Sequence, residues 1–258
     1  MTELTRRIGN STVARRFIPA TEPLGSGNQT AAVTEMVGIT EGYRRASSST
    51  PSPIASRKTG NIIPIIARDF IMHWRDVEEA HLTGQPLSFA KSAAAAAACA
   101  RAEDRFVLYG DESLGYEGLM TTAGRRSISG LTWDEPGAAF ANFSMMTREI
   151  ATRGFAGPFA SVVHPRIYAN MHRVLEGSSL LEIAHVRALL QAGIFRSPEL
   201  GRNSGLVMSA GRQIAELAVS IDVSVAFLGS RQMNLPFRVF KAVYLRLQCG
   251  EAIFTFSP

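Results

Sequence analysis

Five histidines are the side chains in this sequence best suited to bind a metal ion or to transfer a proton. They are His73, His81, His164, His172 and His185. None forms the His-Glu-x-x-His pair of a zinc enzyme. The pairs 73/81 and 164/172 are each eight residues apart, a spacing that helix geometry does not bring onto one metal ion. The histidines therefore predict no metal site.

Nucleophiles and phosphate-binding loops are the other chemistry to consider. The sequence contains no Gly-x-Ser-x-Gly elbow, the turn that exposes the serine of a hydrolase. Gly25-Ser26-Gly27 has no strand pattern before it and no helix pattern after it, so it is not a nucleotide loop. The glycine-rich segment 110–118 carries three acidic residues, which would repel a phosphate. We predict no catalytic residue and no cofactor.

Composition and charge exclude further classes of protein. Hydrophobic residues make up 46% and charged residues 19% of the 258 residues, and the net charge is +5, a normal globular balance. The basic residues are nearly all arginines spread along the chain in short pairs, so no nucleic-acid partner is predicted. Because there is no apolar run of about 18 residues and no apolar leader, we expect a cytoplasmic protein that does not span a membrane.

Residues 31–70 contain two strand-like arms on either side of the stretch ASSSTPSPIASRK. This Ser/Pro-rich stretch cannot hold a regular element. It is either a disordered linker or the tip of a long two-stranded flap. An isolated two-stranded ribbon is marginal in water, so a flap would need another surface, such as that of a neighbouring subunit.

A long alanine-rich helix is predicted at residues 86–109. Pro86 is suited to its start and Gly110 to the position just after its end. Alanine is the best helix former, but six consecutive alanines, 93–98, offer almost no side chain to fill a core or grip a ligand. Such a helix suits a place where another backbone approaches closely. Cys99, which follows the alanines, is predicted to be a small buried apolar residue.

The remainder of the chain alternates helices with strands. Thr132 and Glu135 fit a capping box that opens a helix reaching about Thr152. Two shorter helices are predicted from Pro165 to about Glu176 and from Leu180 to Ala192. Further strands are predicted at FASVVH, IFRSPEL and GLVMSA, and apolar residues at every second position from 217 to 227 predict a long half-buried strand. PFRVFKAVYLRLQ and EAIFTF follow as terminal strands.

Several segments, in order, resemble the encapsulins, the shell-forming proteins of bacterial nanocompartments, also called the linocin-type bacteriocin family. They are PIIARDFIMHWRDVEEAHLTGQP, AEDRFVLYGD with GYEGLM, GFAGPFASVVHPRIY, and the terminal run with AVSIDVSVAFLG, VYLRL and EAIFTF. The resemblance covers roughly residues 30–256 and implies the α+β fold of tailed-phage major capsid proteins, in which a spine helix packs on a sheet. It implies these regions: N-terminal arm of the P-domain 1–30, E-loop 31–70, P-domain with spine helix 71–118, A-domain 119–220, and P-domain strands 221–258.

The resemblance also implies site residues. Glu176, Gly177, Ser178 and Ser179 would line a fivefold pore. Phe17, Val223, Val225 and Phe227 would contact the targeting peptide of a cargo protein. Family members usually begin with a longer segment whose helix helps to bind that peptide. Some members stack a flavin on a tryptophan, but here that position falls on Asp76, two residues from Trp74, so no flavin is predicted.

The resemblance implies a shell protomer, not an enzyme, that self-assembles into an icosahedral nanocompartment. The enclosed cargo would be a ferritin-like iron oxidase or a dye-decolorising peroxidase, which links the shell to iron storage or peroxide chemistry. Two alternatives stay open at this point. A prophage major capsid protein would enclose DNA in the same fold, and a small-molecule α/β enzyme would need a convergent pocket with perturbed titratable groups.

Overall fold

A computed structural model describes residues 12–23, 25, 30–37, 55–175 and 177–258, with the backbone alone for 31–37 and 55–60. The strands are β1 (Thr30–Val37), β2 (Ala55–Ile62), β3 (Ile65–Met72), β4 (Gly110–Asp111), β5 (Tyr116–Glu117), β6 (Arg126–Ser129), β7 (Phe159–Val163), β8 (Gly193–Arg196), β9 (Gly205–Ser209), β10 (Ala215–Phe227), β11 (Leu235–Leu247) and β12 (Ile253–Ser257). The helices are α1 (Trp74–Thr83), α2 (Ala90–Tyr109), α3 (Ala138–Thr152), α4 (Pro165–Asn170) and α5 (Glu182–Leu189). Short 3₁₀ turns lie at Ala14–Arg16, Glu112–Leu114 and Gly250–Ala252.

The first sheet has three antiparallel strands in the order β10, β11, β3. The alternating pattern of residues 217–227 correctly predicts a long strand. It is half-buried only in its second part, because Ala215–Ser220 are buried on both faces. One face packs in the cluster around Ile18 and Leu217, and the other packs near Tyr244 and Ala218. Because apolar and small or polar residues alternate in the sequence, the pattern did not indicate that both faces are buried at the start of this strand.

The alanine-rich helix α2, called the spine helix below, lies on this sheet. It begins at Ala90, four positions after the predicted start at Pro86, and ends at Tyr109 as predicted. Gly110 follows with φ +71°, a left-handed value that glycine adopts at no steric cost. The helix buries Ala95, Ala96 and Cys99 against Val223 and Val239 of the sheet.

The second sheet has five strands in the order β6, β12, β9, β7, β8. Its large apolar cluster contains Trp133, Phe143 and Met146, which pack with strand residues such as Phe256. The terminal strand β12 is a central strand of this sheet, paired with β6 and β9. It therefore lies in a different sheet from the other strands of the predicted P-domain segment 221–258. Ile253 packs in one core cluster, whereas Phe254 and Phe256 pack in the other, so both faces of this strand are covered.

A separate ribbon is formed by β1 and β2, which pair antiparallel from Thr30↔Ile62 to Val37↔Ala55. The structure thus favours the two-stranded flap over the disordered linker for these arms. The predicted tip, residues 38–54, lies outside the described residues. The last residues of the predicted flap, from Ile65 to residue 70, belong to β3, which pairs with β11.

Helix α1 forms where the sequence predicted no element. Two local predictions also require correction. Helix α3 begins after Gly137, whose φ is +87°, and not at Thr132, whose carbonyl instead accepts a hydrogen bond from the Asn142 amide. The helix predicted from Pro165 to Glu176 ends at Asn170, because the backbones of Met171 and Arg173 bond to residues 182–183.

Candidate assembly and cargo surfaces

The alanine face of the spine helix brings helix and sheet into direct contact. Ala96 is fully buried, and Ala95 and Ala100 are nearly so. Beside them the Cys99 thiol donates to the Val239 carbonyl with an Sγ–O distance of 3.6 Å. A side chain with one atom beyond Cβ is therefore long enough to reach from the helix to the backbone of the sheet. Burial raises the pKa of the Cys99 thiol. The close approach that the alanines predicted is therefore present, and Cys99 is part of it.

One turn further along, the spine helix carries a buried ion cluster. The Glu103 carboxylate is fully buried and contacts the ammonium of Lys241, which is 1% exposed. The Arg15 Nε lies 2.8 Å from the other Glu103 oxygen, and Arg15 Nη1 lies 3.0 Å from Asp222. Burial acts to lower the pKa of Arg15, but Glu103 and Asp222 raise it above its ordinary value. A buried charge is tolerated only when it is paired in this way.

Asp104 anchors the start of the described part of the N-terminal arm, residues 12–23. Its two carboxylate oxygens accept the backbone N–H groups of Val13 and Ala14 at 3.0 and 2.9 Å. These are the first N–H groups of the 3₁₀ turn at Ala14–Arg16, which the turn itself leaves without a partner. Burial raises the pKa of Asp104 to about 6, although the two backbone hydrogen bonds oppose the change.

The arm contacts both sheets. Phe17, a predicted cargo contact, is only 8% exposed and stacks on Phe195 of β8 at 5.6 Å between ring centroids. Farther along the arm, Leu217 of β10 donates its N–H to the Pro19 carbonyl and accepts from the Thr21 N–H. The arm thus joins the three-stranded sheet to the five-stranded sheet, and Phe17 lies inside that junction.

The other predicted cargo contacts lie elsewhere. Val223 is buried beneath the spine helix, and Val225 packs half-buried at the edge of the same cluster. Phe227 is 53% exposed and packs at 5.3 Å against Phe237, which stacks in turn on Phe70. The structure therefore brings the three β10 residues onto one sheet but does not bring Phe17 to them. Among the four, Phe227 alone presents a largely exposed side chain.

The predicted pore residues lie in a loop between Val174 and Leu181, which form an antiparallel bridge. Gly177 adopts φ +78°. The Ser178 N–H donates to the Leu175 carbonyl at 3.0 Å, and its hydroxyl accepts from the Leu180 N–H at 3.1 Å. Gly177 and Ser179 are exposed, whereas Glu176 lies outside the described residues.

This loop is fixed to the five-stranded domain by Glu182, which sequence reasoning missed. Glu182 is 2% exposed, and its Oε1 accepts the backbone N–H of Phe140 at 2.9 Å. Phe140 lies in the first turn of α3, where N–H groups lack partners within the helix. On the same helix as Glu182, His185 packs its ring edge-on against that of Phe140 and lies 3.4 Å from the Ser178 hydroxyl.

A signal for the buried ion cluster was present in the sequence. Ala96, Ala100, Glu103 and Val107 have the spacing of one helix face, so the apolar stripe places Glu103 among buried neighbours. Its two cationic partners, Arg15 and Lys241, are far away in the sequence, and no spacing rule identifies them.

Metal and membrane features are limited in the described part of the chain. Within it, no group of three or more His, Cys, Asp or Glu side chains could hold a metal ion. None of the helices described is both long enough and apolar enough to cross a bilayer.

Comparison with known proteins shows the family to which the chain belongs. The family model Linocin_M18, described as "Encapsulating protein for peroxidase", matches residues 2–244. The chain belongs to this encapsulin family. It is also 40% identical over 247 residues to the type 1 encapsulin shell protein EncA of Myxococcus xanthus, a match that covers 95% of this chain and 86% of that one.

Solved structures show the encapsulin and phage capsid fold. The virus-like particle from Pyrococcus furiosus superposes with a TM-score of 0.80 at 18% identity, covering 99% of this chain and 97% of that one. The capsid of Myoviridae phage XM1 gives a TM-score of 0.63 at 15% identity, covering 93% and 88%. The predicted α+β capsid fold, with a spine helix on a sheet, is confirmed. The three-stranded sheet with the spine helix is termed the P-domain below, the β1–β2 ribbon the E-loop, and the five-stranded sheet with its helices the A-domain.

Proposed function

We propose that this chain is a shell protomer that self-assembles into a closed icosahedral nanocompartment around a cargo enzyme. The observation that carries the proposal is the family match, which extends over nearly the whole chain together with 40% identity to an encapsulin shell protein. It favours the shell over a prophage capsid, because the likeness to phage XM1 is one of fold at 15% identity.

Features of the described subunit support assembly. Ile62, Ile65 and Ile71, at the end of the E-loop and along the edge strand β3, are each about half or more exposed. Large apolar side chains on an edge strand favour pairing with another chain. Electron microscopy and light scattering of the purified full chain test the proposal. We expect hollow particles of uniform diameter, and a subunit that stays monomeric at high concentration would contradict the proposal.

We further propose that Glu176, Gly177, Ser178 and Ser179 line the pore of this shell. Small hydroxyl side chains would leave a hydrated opening and Glu176 would favour cations. Replacing the exposed Ser179 by Trp should slow entry of a small substrate to the enclosed enzyme without changing particle diameter. Ser129→Trp, at an exposed position on β6, is the matched control. Equal entry rates in the two variants would remove this loop from the pore.

Of the four predicted cargo contacts, Phe227 is the one proposed to bind a targeting peptide, because Phe17 and Val223 are buried and Val225 is half-buried. The exposure of Phe227 and its row of aromatic neighbours support its part in the site, since exposed aromatic side chains are typical anchors for a peptide. Phe227→Ala should lower the cargo recovered per particle several-fold. Leu114→Ala, at another exposed apolar residue, should leave the recovery unchanged. Equal recovery from both variants would remove Phe227 from the site.

The cargo is proposed to be a peroxidase or a ferritin-like iron oxidase. The shell itself is proposed to be non-catalytic and to bind no cofactor and no nucleic acid. We propose that it assembles in the cytoplasm. The family description names a peroxidase. Mass spectrometry of proteins that co-purify with the particles, with haem absorbance and iron content, distinguishes the two cargos. Particles that contain DNA would instead support the prophage alternative.

A further inference from the structure

The E-loop ribbon is long enough that a small rotation at its base displaces its far end appreciably. Each of its strands has eight described residues, which corresponds to a length of about 26 Å at about 3.3 Å per residue. A rotation of about 10° at the base would move its far end by about 4–5 Å, more than the rise of one strand residue. A flap that docks on another subunit in one register therefore needs its direction fixed at the base.

Two tyrosine hydroxyls bond to the base of the ribbon. The Tyr116 hydroxyl donates to the Ile62 carbonyl at 2.7 Å. The Asn61 side-chain amide donates to the Tyr244 hydroxyl at 2.5 Å. The bonds hold consecutive residues of the last ribbon strand, one through its backbone and the other through its side chain. Together they restrict rotation of the strand as well as its position.

The tyrosines themselves pack in an aromatic cluster. Tyr116 lies edge-on between Phe106 and Tyr244, with ring centroids 6.0 and 5.4 Å away. Phe106 belongs to the spine helix and Tyr244 to the middle strand of the P-domain sheet. Ile63, the first residue after the ribbon, is 5% exposed and packs in the same cluster. The base of the ribbon is thus tied to the two main elements of the P-domain.

We propose that Tyr116 and Tyr244, with Asn61, are positioning residues that set the direction of the E-loop for docking on a neighbouring subunit. The inference rests on the proposed shell function. Ile62 is 65% exposed, so a hydroxyl bond to its carbonyl adds little core packing. It does define where the strand points, and loss of these hydroxyls should therefore affect the geometry of assembly more than the folding of the subunit.

The test compares particles made by the full chain and by Tyr116→Phe, Tyr244→Phe and Asn61→Ala. Tyr168→Phe is the control, because it removes a hydroxyl of the A-domain that accepts a bond from Arg187 at 3.4 Å. Mass photometry and electron microscopy measure the fraction of incomplete or off-size particles. Circular dichroism and thermal unfolding report the fold. We expect that fraction to rise at least threefold in each E-loop variant, with native spectra, and to stay unchanged in the control.

The outcomes separate the two proposals. If the unaltered chain forms no particles, the shell function fails. If it does and all three variants give its size distribution, the positioning role is overturned while the shell function stands. Should Tyr244→Phe fail to fold, Asn61→Ala still decides, because it removes the same hydrogen bond without altering the aromatic cluster.

Discussion

The two halves of the spine helix pack against the same sheet by opposite means. In the first half, Ala95, Ala96 and Cys99 bring the backbones together, and no charged side chain is buried. In the second half, the helix buries Glu103 and Asp104 beside Val107. The first half is matched to the sheet by shape, with one hydrogen bond from the Cys99 thiol. The second half requires particular partners at a distance in the sequence.

The comparison shows how one helix performs two tasks. Small residues fix the separation of helix and sheet. Because protein interiors are close-packed, any atom added at this contact must displace neighbouring atoms. The buried carboxylates fix the location of the N-terminal arm, since leaving either without its partner would strand a charged group or free N–H groups in the interior. The two halves should therefore respond differently to substitution.

The largest effect is expected at Glu103. Glu103→Gln would leave the buried Lys241 ammonium without a counter-charge, and we expect the free energy of unfolding to fall by about 3–5 kcal/mol. Urea unfolding of the dissociated subunit measures it. Glu78→Gln, at an exposed position on α1, should change it by no more than about 0.5 kcal/mol. If Glu103→Gln lowered the free energy of unfolding no more than Glu78→Gln does, the ion cluster would not stabilise the fold.

A pH dependence is expected from Asp104. Its pKa in the folded chain is about 6, above its ordinary value of 3.8. Between these values the folded chain binds a proton that the unfolded chain has released, so the free energy of unfolding falls as pH rises from about 4 to about 6. Relative to Asp104→Asn, the native chain should lose on the order of 2 kcal/mol across this window. Parallel pH profiles of unfolding for the two chains would contradict the assignment.

The alanine half is probed by adding volume. Ala96→Leu would force a branched side chain into the contact with the sheet, and we expect a loss of about 1–3 kcal/mol. Ala94→Leu, on the exposed side of the same helix, should cost no more than about 0.5 kcal/mol. Thermal unfolding of both variants side by side measures the difference. If Ala96→Leu and Ala94→Leu were tolerated equally, the alanine face would not be needed for the close approach of helix and sheet.

The smallest effect is expected at the start of the helix. Lys91 and Asp76 form an ion pair at 3.3 Å, with about half of each side chain exposed. Such surface pairs contribute between zero and about 1 kcal/mol and are screened by salt. Lys91→Ala should therefore leave the free energy of unfolding almost unchanged at physiological ionic strength. A loss approaching that of Glu103→Gln would remove the contrast between the two halves.

Much of the fold was predictable where one local pattern dominated. Consecutive alanines indicated the spine helix, and apolar alternation indicated β10. Helix α1 was missed because it buries no residue, so it leaves no apolar stripe in the sequence. The capping pattern at Thr132 and Glu135 misplaced the start of α3, because a short loop can carry the same residues. Which sheet β12 joins depends on its neighbours in space, and a five-residue run does not encode that.

The candidate site was less predictable. The motifs that resemble encapsulins predicted a pore loop at residues 176–179, which stays a prediction, but the anchor of this loop at Glu182 depends on a helix 42 residues away in sequence. Phe17 and Phe227 are both aromatic and were both predicted to contact the cargo. Their burial differs because Phe17 lies at a junction of two sheets and Phe227 near the free end of one. Side-chain type indicates what a residue can bind, and only tertiary packing decides whether it is accessible.

The buried cluster at Glu103 has a consequence for the order of events during synthesis. Glu103 bonds to Arg15, 88 positions earlier, and to Lys241, 138 positions later. The cluster cannot close until the ribosome has released β11, and contacts of such separation form slowly. A subunit therefore completes its P-domain only after β11 has emerged, which delays joining to other subunits until that stage of translation.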